Sequence, residues 1–267
     1  MYLNKKVIHY NFIFANSFSN KDNVTIISLN IQSIQAKFIP FNNLIDKLNL
    51  KNALPDFFLL QESFVKDFSH LNIKGFKPVC NARPSNSRGG GTAIYCNEAY
   101  NLKHLSNSTF FIPNILEATV ITAELPGKYK LLLVSCYRPN THHIYNNNAQ
   151  IDFFLDSLGE FLEILNDYNL TTLFCGDFNL NLFEINNSNS KATSFLDIFG
   201  GFGYLNIITK ATRLVNQSHT ALDQIFLNDL SVLIKSGVII DTPSDHFACF
   251  VEINLKKPKV KVDPYFT

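Results

Sequence analysis

Apolar residues fall along this chain in two rhythms, and the rhythm predicts which stretches are strands and which are helices. NVTIISLNI, over 23–31, is short and β-branched, the pattern of a buried strand that ends at Asn30. In FIPFNNLIDKLNL, Phe41, Leu44, Ile45 and Leu48 recur at helical intervals, so a helix is predicted to follow that strand. PDFFLLQES repeats the arrangement, an apolar strand with Gln61 and Glu62 at its end. The glycines of SRGGG ahead of GTAIY read as a turn leading into a strand, because the lysine and spacing of a phosphate-binding P-loop are absent. Pro126 and Gly127 mark a turn between ILEATVITAEL and KYKLLLVSCYRPN, which predicts a hairpin. QIDFFLDSLGEFLEIL sets Ile151, Phe154, Leu155, Leu158, Phe161, Leu162 and Leu165 on one side of a helix, and TTLFCGDFNLNL follows as another apolar strand. FLDIFGGFGYLNII predicts a helix stopped by Gly200 and Gly201, ahead of the strands ALDQIFLN, VLIKSGVIID and HFACFVEINL. YNNNAQ and NNSNSK read as exposed loops.

Strands and helices are mixed without strict alternation, and hairpins are frequent. That favours an α/β fold of two packed sheets flanked by helices over a doubly wound parallel sheet. One domain is expected over 23–255, with 1–22 a leader or edge segment and 256–267 a basic, proline-containing tail or connector. The opening segment carries two lysines before a short apolar patch, but His9, Asn11 and Asn16 interrupt it, against a secretory signal.

Composition narrows the picture a little. With 267 residues, 46% of them hydrophobic and 13% aromatic, the chain can fill a large core and should be globular. A net charge of +1 asks for no polyanionic partner in total, although a local basic groove is compatible with a neutral sum. No apolar run reaches the roughly 18–20 residues of a membrane-spanning helix, so a soluble chain is expected. The five cysteines, Cys80, Cys96, Cys136, Cys175 and Cys249, are widely spaced without a C-x-x-C pair and read as reduced core residues.

The candidate chemistry lies where apolar strands meet polar residues. In TTLFCGDFNLNL a strand runs straight into Asp177 and Asn179, and burying such an amide without a partner costs about 2–7 kcal/mol. The same juxtaposition occurs at Asn30, at Gln61 and Glu62, at Tyr137, Arg138 and Asn140, and at Asp223, while a sixth strand is entered through Ser244, Asp245 and His246. Each alone is a turn or helix cap. Together, stacked in a sheet, such ends would converge on one rim and form a cleft. A hard divalent cation such as Mg2+ takes oxygen ligands, and Glu62 with Asp177 or Asp245 would supply them. Phosphate-ester hydrolysis needs that metal, a group to orient water, and a donor near the phosphoryl oxygens; His246 suits the last role if a carboxylate holds its tautomer.

In this order the motifs SLNIQS, LLQES, RGGGTAIY, CYRPN, GDFNLN, ALDQIF and SDHFA resemble the endonuclease/exonuclease/phosphatase superfamily over about residues 24–254. RGGGTAIY, YRPN and TALDQIFLN make the chain most similar to the endonuclease domains of non-LTR (LINE-type) retrotransposons. The resemblance implies a four-layered α/β sandwich and an Mg2+-dependent (Mn2+ possible) DNA endonuclease that leaves 3′-hydroxyl and 5′-phosphate ends. It implies Glu62 as chief metal ligand with Asn30 at the metal site, and Asp245 on the metal or substrate side. Tyr137 would contact the scissile phosphate. Asp177, beside Asn179, would handle the nucleophilic water or the leaving oxygen, and Asp223 would hold His246. Arg138, Asn140, Thr212, Arg213 and Thr220 are the implied DNA contacts. The implied partners are double-stranded DNA and a reverse transcriptase domain of a longer polyprotein; a monomer in the nucleus, with no membrane, is expected. The competing expectations are a phosphatase or phosphodiesterase of the same superfamily, acting on a small or lipid phosphate, and a catalytically dead nucleic-acid-binding module.

Overall fold

The structure, a computed structural model, describes residues 22–65, 67–81, 89–107, 110–140, 147–185, 191–216 and 218–258. The N-terminal segment 1–21, most of the basic tail, and parts of YNNNAQ and NNSNSK lie outside the described residues.

Strand Asn23–Asn30 (β1) is buried at every position, which explains why its sequence lacks a polar alternation. One face, with Val24 and Ile26, meets a second sheet, while Ile27 and Leu29 on the other face meet a helix. The helix is Phe38–Leu50 (α1), and its buried residues are Phe41, Leu44, Ile45 and Leu48, as the spacing predicts. β1 runs parallel to Phe57–Gln61 (β2) and antiparallel to Ala248–Lys256 (β15). Phe76–Asn81 (β3), Thr92–Asn97 (β4) and Leu233–Ile239 (β14) complete a six-stranded sheet of order β14-β15-β1-β2-β4-β3.

The second sheet has the order β10-β13-β9-β8-β7-β5. Its strands are Leu102–Leu105 (β5), Leu116–Glu124 (β7), Lys130–Tyr137 (β8), Thr171–Asp177 (β9), Leu205–Asn206 (β10) and Asp223–Leu227 (β13), with Phe111–Ile112 (β6) paired to β7. Leu131, Leu133, Leu173, Cys175, Ile225 and Leu227 on its inner face pack against the first sheet. Its outer face is covered by Asn147–Asn166 (α2) and Lys191–Gly201 (α3). The result is a four-layered α/β sandwich, one sheet covered by α1 and the other by α2 and α3. The many phenylalanines are spent largely here: Phe174, Phe178, Phe195, Phe199 and Phe226 form one edge-to-face cluster, in which Phe199 and Phe226 stack with centroids 3.6 Å apart.

The seven α2 residues picked out by periodicity are all buried, and the Pro126–Gly127 turn joins the hairpin of β7 and β8. All five cysteines are free thiols, and four of them are buried. No helix among the described residues is long and apolar enough to cross a membrane.

α3 ends at Gly201, as the glycine pair predicts, and the left-handed position that follows is Gly203, at φ +80°, whose N–H donates to the Gly200 carbonyl. Three expectations need correction. Of YNNNAQ, Asn147 to Gln150 form the first turn of α2, so only its start remains as a candidate loop. Gln61 does not reach the rim: its side chain is buried between the sheets and donates to the Ser135 and Ser28 hydroxyls. Asp223 opens β13 instead of closing a strand, but β13 is antiparallel to β9, so its beginning lies at the rim where β9 ends. A two-stranded ribbon, Arg213–Val215 (β11) and Ser218–Thr220 (β12), was not legible as such in the sequence.

Candidate active site

Strand direction assembles the site. β1 and β2 are parallel, β8 and β9 are parallel, and β13 and β15 begin where those four end. The polar residues after or before each apolar run therefore meet at one edge of the sandwich, with Asp177 standing opposite both Tyr137 and Asp223 in the pairing register.

Asn30 links the two sheets across this edge. Its Nδ2 donates to Glu62 Oε1 at 2.9 Å and to Asp177 Oδ2 at 2.7 Å, while its Oδ1 accepts from Gln32 N–H at 3.1 Å. Asp177 is 1% exposed, and its other oxygen accepts the Asn179 N–H at 3.0 Å. Burial first, and then the neighbouring Asp223 carboxylate, push the Asp177 carboxyl up to about 7. Gly176 before it is obligatory: a Cβ there would stand 2.2 Å from the Cys136 carbonyl oxygen, so only glycine lets β8 and β9 close on each other at this point.

His246 Nδ1 lies 2.9 and 3.1 Å from the two Asp223 oxygens and 4.0 Å from Asp177 Oδ2. Burial works against a charged ring, but the Asp223 carboxylate, its hydrogen bond and the Asp177 charge outweigh it and raise His246 to about 9. The pairing fixes the imidazole so that Nδ1 faces Asp223. Tyr137, at the end of β8, is hydrogen-bonded to Glu62; burial and then the Glu62 and Asp177 charges hold its phenol well above the usual range, so it keeps its proton.

The rim is strained. Gln32, Ser33, Glu62, Phe64 and Asn179 all have φ between +48° and +77°, a region that side chains other than glycine's seldom adopt. At Glu62 the strain is held by the glycine triad: Ser63 N–H donates to Gly91 O at 3.0 Å and Phe64 N–H to Gly90 O at 2.8 Å. Buried Glu117 on β7 holds the triad from beneath, accepting Gly91 N–H at 2.6 Å.

The expected DNA contacts fall into two groups. Arg138 and Thr212 are buried and occupied by the chain's own backbone. Arg138 donates through Nε to the Phe178 carbonyl at 2.6 Å and through Nη2 to the Asn179 carbonyl at 3.0 Å, a use of the guanidinium that leaves it facing the loop and not the solvent. Thr212 Oγ1 accepts both Leu222 and Asp223 N–H at 3.0 Å and so fixes the start of β13. Asn140 is exposed beyond β8, and Thr220 pairs with Arg213 across the β11–β12 ribbon. Arg213 donates to Asp245 Oδ2 through Nε at 2.9 Å and Nη2 at 2.7 Å, and Gln32 donates to the other Asp245 oxygen. Gln32 and Glu117 were missed by sequence reading: Gln32 follows a strand end already explained by Asn30, and Glu117 is one of two acids in an otherwise apolar strand, set apart from the exposed Glu124 only by its burial.

The donor set suits a hard cation. Asp177, Asp223 and His246 place three potential ligand atoms within 4.8 Å of one another. Within that cluster His246 Nδ1 is turned to Asp223, and the Glu62 carboxylate adjoins it through Asn30 Nδ2, which donates to both Glu62 and Asp177.

Comparison with known proteins agrees with this architecture. No curated protein sequence matches the chain. Among solved structures it is similar to an AP endonuclease from Leishmania major (13% identity, 92% of each chain, TM-score 0.73). It is also similar to the endonuclease domain of TRAS1, a telomere-specific non-LTR retrotransposon (14% identity, 88% of this chain and 100% of that one, TM-score 0.65). A third likeness is to the 3′ phosphatase NExo from Neisseria bound to a product DNA hairpin (15% identity, 86% and 99%, TM-score 0.64). Residues 27–246 match the model of the Endonuclease/Exonuclease/phosphatase family. With its acidic and histidine cluster at the rim of the two-sheet sandwich, the chain belongs to the endonuclease/exonuclease/phosphatase family.

Proposed function

We propose that this chain is an Mg2+-dependent DNA endonuclease that nicks one strand of double-stranded DNA and leaves 3′-hydroxyl and 5′-phosphate ends, as target-primed retrotransposition requires. The observation that carries the reading is the convergence on Asp177 of Asn30, Asn179 and the His246–Asp223 pair, in a chain similar in fold to a retrotransposon endonuclease domain. Glu62 with Asn30 would hold Mg2+, or Mn2+ in its place, which when bound neutralises charge on the phosphate.

Asp177, raised to about 7, is suited to carry a proton near neutrality. It takes one from the attacking water as that oxygen bonds to phosphorus and the bond from phosphorus to the 3′ oxygen breaks; the departing 3′ oxygen takes its proton from solvent water, and Asp177 returns its own to solvent. Asn179 and Asn30 hold its two oxygens in place. His246, charged up to about 9, stabilises the negative charge that builds on the phosphoryl oxygens, with Asp223 fixing its orientation. Tyr137 keeps its proton and donates to the phosphate. Asp245 and Arg213 form an ion pair at the substrate side. We place the chain in the nucleus as a monomeric domain working with a reverse transcriptase domain of a longer polyprotein.

The test is conversion of supercoiled plasmid by the purified chain with Mg2+, with EDTA, and with Asp177→Ala and His246→Ala. Metal-dependent relaxation lost in both variants is the expected result. Intact plasmid from the folded wild-type chain sinks the reading. Release of phosphate from a monoester panel would then identify a phosphatase, and silence there a binding module.

A further inference from the structure

Phe64 follows Glu62 by two residues and satisfies none of the reasons for which an aromatic side chain is normally kept. It is 42% exposed and belongs to none of the three apolar cores. Its φ of +55° puts an aromatic residue in the left-handed region, a strained choice that folding alone does not reward. The strain is nonetheless held firmly: Phe64 N–H donates to the Gly90 carbonyl at 2.8 Å. A Cβ on Gly89 would lie 3.4 Å from Phe64 Cε1, so the ring rests against a glycine whose own φ is +74°. Two adjacent glycines with φ +69° and +84° continue the support. The outcome is a preset aromatic surface at the rim, fixed to the same loop that positions Glu62.

We infer that Phe64 is a base-stacking residue, and that the substrate is DNA with an unpaired or splayed base beside the scissile phosphate. Two residues of chain reach at most about 7 Å. The Phe64 Cα is within that distance of the Glu62 Cα, which puts its ring in reach of a nucleotide neighbouring a phosphate drawn to a cation at Glu62. A base inside a duplex stack hides its faces, whereas an unstacked one offers a π-face to any aromatic ring, which is the sequence-tolerant mode of single-strand recognition. Phe64 thus selects the structure of the target, not its sequence. This rests on the nuclease reading of the same site.

The test measures affinity by fluorescence anisotropy, with no cleavage required, for a fully paired oligonucleotide duplex and for the same duplex with a short unpaired bubble. The wild-type chain is expected to prefer the bubble, Phe64→Ala to lose about tenfold in affinity for it so that the preference collapses, and Phe64→Tyr to keep it. Thermal melting of Phe64→Ala should match wild type, because the ring is outside the cores. A 2-aminopurine in the bubble should be quenched by wild type and not by Phe64→Ala. A preference that survives in Phe64→Ala, or no preference in the wild type, overturns the inference while leaving plasmid nicking untouched. A Phe64-dependent preference in a chain that nicks no plasmid upholds the stacking and removes the endonuclease. Absence of binding to either DNA overturns the stacking, and plasmid nicking alone then decides the endonuclease.

Discussion

Arg138 and Asn179 hold each other in place: Arg138 Nη2 donates to the Asn179 carbonyl at 3.0 Å, and Asn179 Nδ2 donates back to the Arg138 carbonyl at 2.8 Å. Arg138 N–H also donates to the Asp177 carbonyl, and its Nε to that of Phe178. The whole Asp177–Asn179 turn, strained at Asn179, is thus tied to one buried guanidinium that lies 5.7 Å from the Phe154 ring centroid.

Arg138→Met keeps the apolar stem and removes the fork. Two buried carbonyls then lose a charged donor, at a cost of about 2–3 kcal/mol. Displacement of Asp177 and Asn179 should lower nicking about 100-fold. Arg138→Lys should fare little better, since an ammonium has no planar fork to span two carbonyls. Urea denaturation and plasmid nicking measure the two effects. A loss of activity without any loss of stability would mean that Arg138 meets the phosphate instead.

Asp177→Asn should abolish nicking and yet stabilise the fold. The carboxyl is buried beside a second carboxylate, and its folded pKa of about 7 stands above the unfolded value. Such a group favours folding below the unfolded value and withdraws that favour as pH rises through 7. The amide escapes this, so melting in EDTA should be higher for the variant at pH 8, with the difference vanishing near pH 4. A variant less stable at both pH values would show that the Asn30 and Asn179 hydrogen bonds outweigh the relief of repulsion.

What the sequence made legible and what it hid divide along a physical line. Ile151 to Leu165 and Phe41 to Leu48 could be assigned to helix faces because periodicity is a local property. Asn30, Asp177 and His246 could be assigned to one rim because a polar residue at the end of a buried strand needs a partner. Arg138 and Thr212 were expected at DNA and are found holding backbone. Both are polar residues beside motif positions, and only the three-dimensional path shows that carbonyls and N–H groups 10–41 residues away claim them first. Gln61 was misplaced for the same reason: its partner, Ser135, lies on the other sheet.

Asp223→Asn should shift the pH dependence of nicking. His246 is held near 9 mainly by Asp223 once burial is overcome, so the wild type should stay active up to about that pH. Loss of the partner charge should bring the alkaline limb down by about 1–3 units. In stability the sign is the same. The pair contributes fully below about 6.5, the unfolded value, and its contribution is lost as pH rises through about 9. Urea midpoints across this range should decline for the wild type and much less for Asp223→Asn. An unmoved alkaline limb would assign it to another group.

Gly91 separates backbone strain from site geometry. A methyl group there meets φ +84° and stands 2.9 Å from the Ser63 hydroxyl, on the loop that orients Glu62. Gly75 offers the matching control, at φ +80° with nothing within 4 Å of an added Cβ. Both alanine variants should lose about 1–3 kcal/mol from the left-handed backbone alone. Gly91→Ala must in addition push Ser63, and with it Glu62, whose carboxylate is held by Asn30 at 2.9 Å. A titration of nicking against Mg2+ should therefore move to higher concentration in Gly91→Ala and stay in place in Gly75→Ala. Equal Mg2+ requirements in the two variants would mean that Glu62 is positioned by Asn30 alone, and that the glycine triad serves only the fold of its own turn.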